Sequence, residues 1–307
     1  MIWVGWRQQR TETLLALGIL AVLAALLIPT GVQMASAYRH DGLSACLAPS
    51  APEACGQALG SFTSRFEQRS NLIAWFTLVP GLVGVLLAAP FILGLENGTY
   101  RLDWTQSITS RRWIAGKLGL AIVVALLTAL ALILLITWWR TPFVHLQGRM
   151  ENSAFDSEGI APFGYILFAL GLAAAVGVVW RRAVPALVVG FAGYFAARIF
   201  VDTWLRQRLI APITATWGVR DRGPNLDHAW ILSQYPSDKL GHPVSVRFKF
   251  CIGSPHCLVQ HGAGYTHAVY QPASRFWALQ GIETALFCGV ALALLAFAAW
   301  WAHERTA

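Results

Sequence analysis

Three ionisable side chains interrupt stretches that are otherwise apolar. Arg198 and Asp202 stand four residues apart in the run 184–204, which puts both on one face of a helix. Glu283 lies early in the run 277–301, close to Gln280 and at roughly the depth of Arg198. A charge at the centre of a hydrocarbon layer costs at least about 2.5–3.5 kcal/mol, so such groups pair or face a wet cavity. The spacing predicts an Arg198–Glu283 or Arg198–Asp202 pair between two helices, able to gate a pathway or simply to staple the helices.

A second constellation is aromatic and basic. The segment 96–117 is the most polar stretch between two long apolar runs, and it carries Tyr100, Leu102, Trp104, Ile108 and Trp113 beside Arg101, Arg111, Arg112 and Lys117. Buried aromatics ringed by cationic side chains make strong anchors for a partner surface. A bare connector needs none of this, so the segment reads as a docking surface for a soluble partner. The plainer readings are that Trp113 anchors at the membrane interface and that Arg111 and Arg112 are ordinary positive flanks.

Cysteine and histidine point elsewhere. Cys46 and Cys55 form one short-spaced pair and Cys251 and Cys257 another; in an oxidising compartment both read as disulfides. Cys288 lies inside an apolar run and reads as a small buried hydrophobe. His256 and His261 flank Cys257 and could complete a zinc set with Cys251, but a disulfide with surface histidines is the expectation, and no metal is assigned. Gly116-Lys117 lacks the upstream glycine and the following Ser/Thr of a phosphate-binding loop. HisGluxxHis and GlyxSerxGly are both absent from the sequence, which removes two common hydrolase signatures.

The elements that must position these residues follow from composition. The chain has 307 residues, of which 56% are hydrophobic and 12% charged, too few charges for a soluble surface. Six apolar runs, near 13–34, 71–94, 118–139, 160–180, 184–204 and 277–301, approach or exceed the roughly 20 residues that cross a bilayer. Trp138, Trp139, Trp180, Trp204, Trp277, Trp300 and Trp301 mark their ends, as interfacial aromatics do. The expected fold is an all-α polytopic membrane protein, a single transmembrane domain over 1–307.

The formal charge of +8 does not point to nucleic acid, because its distribution follows the membrane. Arg7, Arg10, Arg101, Arg111, Arg112, Lys117, Arg181, Arg182 and Arg305 fall on one side if the N-terminus is cytosolic, and the positive-inside rule then gives N-in and C-in. Residues 205–275 are too long for a bare connector. They read as a small folded outer cap, partly re-entrant near 209–217.

Trp6-Arg7-Gln8-Gln9-Arg10, and the run Gly98-Thr99, Leu102, Trp104-Thr105-Gln106-Ser107, Arg111, Trp113, Lys117, resemble permease subunits of the type-2 ATP-binding-cassette exporter class, of actinobacterial type. Where relatives carry an Arg-Glu pair upstream of the acidic residue, this chain has Leu93-Gly94. The resemblance implies two copies of the permease, a homodimer, working with two cytosolic ATPase subunits in the cell membrane. ATP and Mg would sit on the ATPase, with no cofactor in this chain. The segment 96–117 would hold the coupling helix. Glu96, Gly98, Thr99, Arg101, Trp104, Gln106, Arg111, Arg112, Trp113 and Lys117 would meet the ATPase, Trp104 and Trp113 as anchors and the arginines on acidic groups or lipid phosphate. Apolar walls fit a hydrophobic or amphipathic cargo such as a drug, peptide antibiotic or lipid, moved outward by alternating access. The alternative is a membrane sensor or assembly protein whose outer cap binds a ligand without transport. An intramembrane enzyme is disfavoured for want of paired carboxylates within the spans.

Overall fold

A computed structural model of the chain describes residues 2–47, 54–71, 73–98, 109–244, 255–260 and 262–306. In chain order the helices are α1 (Ile2–His40), α2 (Ala54–Asn71), α3 (Ile73–Phe76), α4 (Leu78–Glu96), α5 (Ser110–Gln147), α6 (Asn152–Ser157), α7 (Ala161–Trp180), α8 (Ala183–Phe200), α9 (Arg206–Leu209), α10 (Pro255–Gln260) and α11 (Phe276–Thr306). Three strands, β1 (Ile213–Gly218), β2 (Trp230–Ser237) and β3 (Tyr265–Gln271), interrupt the helical series before α11. Six segments are long and apolar enough to span a membrane: Thr13–His40, Leu78–Glu96, Ser110–Gln147, Ala161–Trp180, Ala183–Leu209 and Ala273–Arg305.

Several boundaries differ from the sequence reading. The run 71–94 does not form one helix: Asn71 closes α2, α3 intervenes, and the span begins at Leu78. Pro80 falls in the first turn of α4, where a missing N–H leaves no bond broken. The run 118–139 is the middle of a much longer helix. Residues 110–117, read as part of a separate element, are the first turns of α5. At 38 residues α5 is about 57 Å long, well beyond the ~30 Å hydrocarbon layer.

α4 and α7 are the most enclosed spans, while α1, α8 and α11 leave much of their surface open. Without a hydrophobic drive between helices in lipid, close backbone approach does the work, and small residues permit it. A Cβ on Gly84 of α4 would lie 2.4 Å from the carbonyl oxygen of Ile166 in α7, and one on Gly177 would lie 2.5 Å from Ile92 Cγ1. Leu82, Val123, Leu127, Val188 and Leu292 point outward, as lipid-facing side chains do.

The far ends of α1 and α5 hold a second core with α2, formed by Met34, Leu43, Phe62, Phe66, Trp139 and Phe143. Cys46 and Cys55 close a disulfide at this end. In the segment between α9 and α11, residues 213–218, part of the stretch read as re-entrant, form strand β1. The segment contains an antiparallel sheet in the order β1-β3-β2, with Ile213 opposite Tyr270 and Trp217 opposite Thr266. A Cβ on Gly148, after α5, would run into His228, so the sheet sits at the end that carries the disulfide. α1 and α5 run towards this sheet end, and α4, α7 and α11 run away from it towards the opposite, basic end.

Candidate functional site

At the sheet end, the charges expected within the spans gather around one carboxylate. Glu283 of α11 is fully buried. Its Oε1 accepts from Arg198 Nη1 at 2.9 Å and from the Tyr165 hydroxyl at 2.6 Å, and its Oε2 accepts from Arg206 Nε at 2.8 Å. Asp156 joins from α6, bridging Arg198 Nη2 at 2.6 Å and Arg206 Nη2. Asp202 reaches Arg206 Nη1 at 2.6 Å. Arg198 lies 3.8 Å above the Tyr165 ring and Arg206 lies 4.4 Å above Phe155, so aromatic faces cover what the carboxylates leave open.

Local geometry explains how Arg198 of α8 and Arg206 of α9 reach the same carboxylates. Residues eight apart on a regular α-helix are offset by about 80°. Val201–Leu205 forms a π turn between α8 and α9, and this wider turn takes back much of that offset, bringing Arg206 onto the face of Arg198. Arg198 and Glu283 pair directly, whereas Asp202 pairs with Arg206. The sequence reading missed Arg206 and Asp156, having placed both in outer loops; the available signal was the i, i+4 repeat of Arg198, Asp202 and Arg206. Paired carboxylates were not expected within the spans, and Asp156 lies outside them, in the short helix α6 before α7. Asp156 and Glu283 do share two guanidinium groups. That arrangement gives each carboxylate two cationic partners and joins α6, α8, α9 and α11.

The segment carrying Asp156 is fixed twice more. Gln280 Oε1 accepts from the backbone N–H groups of Ile160 and Ala161 at 3.1 and 2.8 Å, and its Nε2 donates to the Phe155 carbonyl at 2.6 Å. It thereby serves orphan N–H groups at the start of α7. Glu158 pairs with Arg140 Nε at 2.6 Å, both almost wholly buried. Burial alone would raise the Asp156 carboxyl, but Arg198 and Arg206 hold it below the usual carboxylate range. For Glu158 burial prevails: its carboxyl is pushed up in spite of Arg140 and Arg149.

The basic end is built by ties between distant parts of the chain. Glu96, the last residue of α4, accepts from the Ala183 N–H at 2.7 Å. Ser110 Oγ and His303 Nδ1 lie 3.0 Å apart, joining the start of α5 to the end of α11. Arg181 Nη2 donates to the Arg305 carbonyl at 3.2 Å. Gly98, just past α4, has φ +66°, a left-handed conformation that suits glycine and stops the helix. Arg111 and Arg112 are exposed.

Trp113 departs from its expected place as a docking anchor. It is 7% exposed and its ring lies 5.9 Å from Phe91, so it packs inside the bundle core. Lys117 is also buried. Thr99, Arg101, Trp104 and Gln106 lie outside the described residues, as do Cys251 and the side chain of Cys257. Among the described residues, no group of three or more His, Cys, Asp or Glu side chains could hold a metal ion.

A family model described as ABC-2 membrane transporter related matches residues 17–206, more than half of the chain. The match runs from α1 to the first residue of α9 and therefore includes Glu96, the basic end of α5, Asp156, Arg198 and Arg206. No curated protein and no solved structure matches.

Proposed function

We infer the function from one premise: the chain belongs to the ABC-2 membrane transporter related family, whose members are membrane components of transporters and not catalysts themselves. On that premise the chain is the multi-pass permease, and the ATP and Mg that drive it belong to a separate ATPase. We propose that two copies of the chain work with two ATPase subunits in the cell membrane. The basic end faces the cytosol, and the disulfide and the sheet lie outside.

The observation that carries this reading is the basic end. Arg111, Arg112, Arg181, Arg182 and Arg305 cluster where α5, α7, α8 and α11 begin or end, and exposed Arg111 and Arg112 flank the segment 99–108. A motor subunit that closes on nucleotide can move a bundle only through a surface tied to several helices at once. The ties of Glu96, Ser110, His303 and Arg181 supply that rigidity. Cationic side chains around a docked element complement acidic groups on a partner and set its orientation. α4 and α8 of the two protomers line the path, and its apolar walls suit a hydrophobic or amphipathic cargo carried outward by alternating access.

Co-purification tests the reading. The wild-type chain, solubilised from membranes, should capture an ATPase carrying a phosphate-binding loop and stimulate its hydrolysis in proteoliposomes across a panel of amphipathic compounds. A Trp104→Ala/Arg111→Ala chain that still elutes as a folded species should lose the ATPase; undiminished capture would overturn the docking assignment.

A further inference from the structure

Glu96 stands at the wrong end of its own helix. A carboxylate on the last residue of α4 faces the negative end of that helix dipole, which opposes it. The N-terminus of α8 is the opposite case, and the Glu96 carboxylate reaches it, accepting from Ala183 N–H at 2.7 Å. α8 needs the help. Its N-cap residue is Arg182, in an extended conformation and with no side-chain cap, and an arginine has no acceptor to offer. The connector before it is tight: Arg181 takes φ 52°, a left-handed conformation unfavourable for a side chain with a Cβ.

A second contact ties the same two helices further along. The Tyr194 hydroxyl of α8 donates to the Thr77 carbonyl, just before α4, at 3.0 Å. The Tyr194 ring lies so close to Gly81 that a Cβ there would come within 2.3 Å of it. Ala183 and Tyr194 are about 17 Å apart along α8. Two ties at that separation hold α4 against α8 near both ends of their contact. The far end of α8 carries Arg198 and, past the π turn, Arg206, which hold Asp156 and Glu283.

We propose that Glu96 is a positioning residue of the transport cycle. It does not dock on the ATPase; it fastens the end of α4 to the start of α8, so that a displacement at the basic end reaches the arginine–carboxylate network at the sheet end. This deepens the permease reading and rests on it.

The test uses the full complex of the chain with the ATPase it captures, followed by hydrogen exchange with and without ATP. In the wild type, ATP should change exchange in 150–160 and 201–209. Glu96→Ala should capture the ATPase as well as the wild type does, yet lose about tenfold of that ATP-dependent change, the scale of one charge-assisted hydrogen bond. Glu96→Gln keeps both reach and an acceptor oxygen, whereas Glu96→Asp keeps the charge but is one methylene short. Gln should therefore retain the response and Asp should lose it, an ordering that stands even if the alanine chain fails to fold. Loss of ATPase capture by folded Glu96 variants, or a wild-type response in Glu96→Asp, would overturn the proposal and leave the permease reading intact. A wild-type chain that captures no ATPase would overturn both.

Discussion

Arg206 and Glu283, 77 residues apart, meet through Arg206 Nε and Glu283 Oε2 at 2.8 Å with both side chains almost wholly shielded from solvent. A pair taken this far out of water is retained only when its remaining donors and acceptors are also met. Asp156, Asp202, Arg198 and Tyr165 meet them here.

Removing one partner should therefore cost far more than a surface ion pair. Glu283→Ala leaves Arg198 and Arg206 short of a shared carboxylate and should destabilise the fold by about 3–5 kcal/mol. A lowered thermal unfolding midpoint in detergent would show it. Arg65→Ala, at an exposed site, should move the midpoint little, and equal midpoints for the two variants would refute the reading.

Gln280 predicts a subtler loss. Gln280→Ala orphans the Ile160 and Ala161 N–H groups and the Phe155 carbonyl, each costing about 1–3 kcal/mol when left unsatisfied in a buried setting. Gln280→Glu keeps the acceptor but cannot donate to Phe155, so it should fall between alanine and wild type. Proteolysis of 150–160 under native conditions is the direct assay.

Acid should act oppositely on two carboxylates two residues apart. The folded Asp156 carboxyl lies below its unfolded value, so its contribution is present above the ordinary carboxylate range and fades as pH falls through the folded value. The folded Glu158 carboxyl is raised, so its contribution is full below the unfolded value and is lost as pH rises through the folded one. Asp156→Asn should cost most near neutral pH and progressively less in acid. Glu158→Gln should show the reverse trend. Unfolding midpoints from pH 3 to 8 would reveal parallel curves if this assignment is mistaken.

The disulfide reports sidedness. Cys46 and Cys55 should resist a membrane-impermeant maleimide on intact cells, and should react with it after a membrane-impermeant reductant. Labelling that requires permeabilised cells would place this end in the cytosol and reverse the topology.

The sequence by itself determined that there are six spans and roughly where they lie, because about twenty apolar residues in a row have few other stable fates than a helix in lipid. It also marked Arg198, Asp202 and Glu283 as groups that needed partners, since an unpaired charge in hydrocarbon is too costly to keep. Tertiary structure alone decided who the partners are. Asp156 comes from a short helix more than forty residues before Arg198, and Arg206 turns inward only because a π turn rotates it there. Trp113 looked like a docking anchor until α4 supplied Phe91 to cover it. Pairing across helices depends on rotation, depth and packing, which a one-dimensional pattern does not contain.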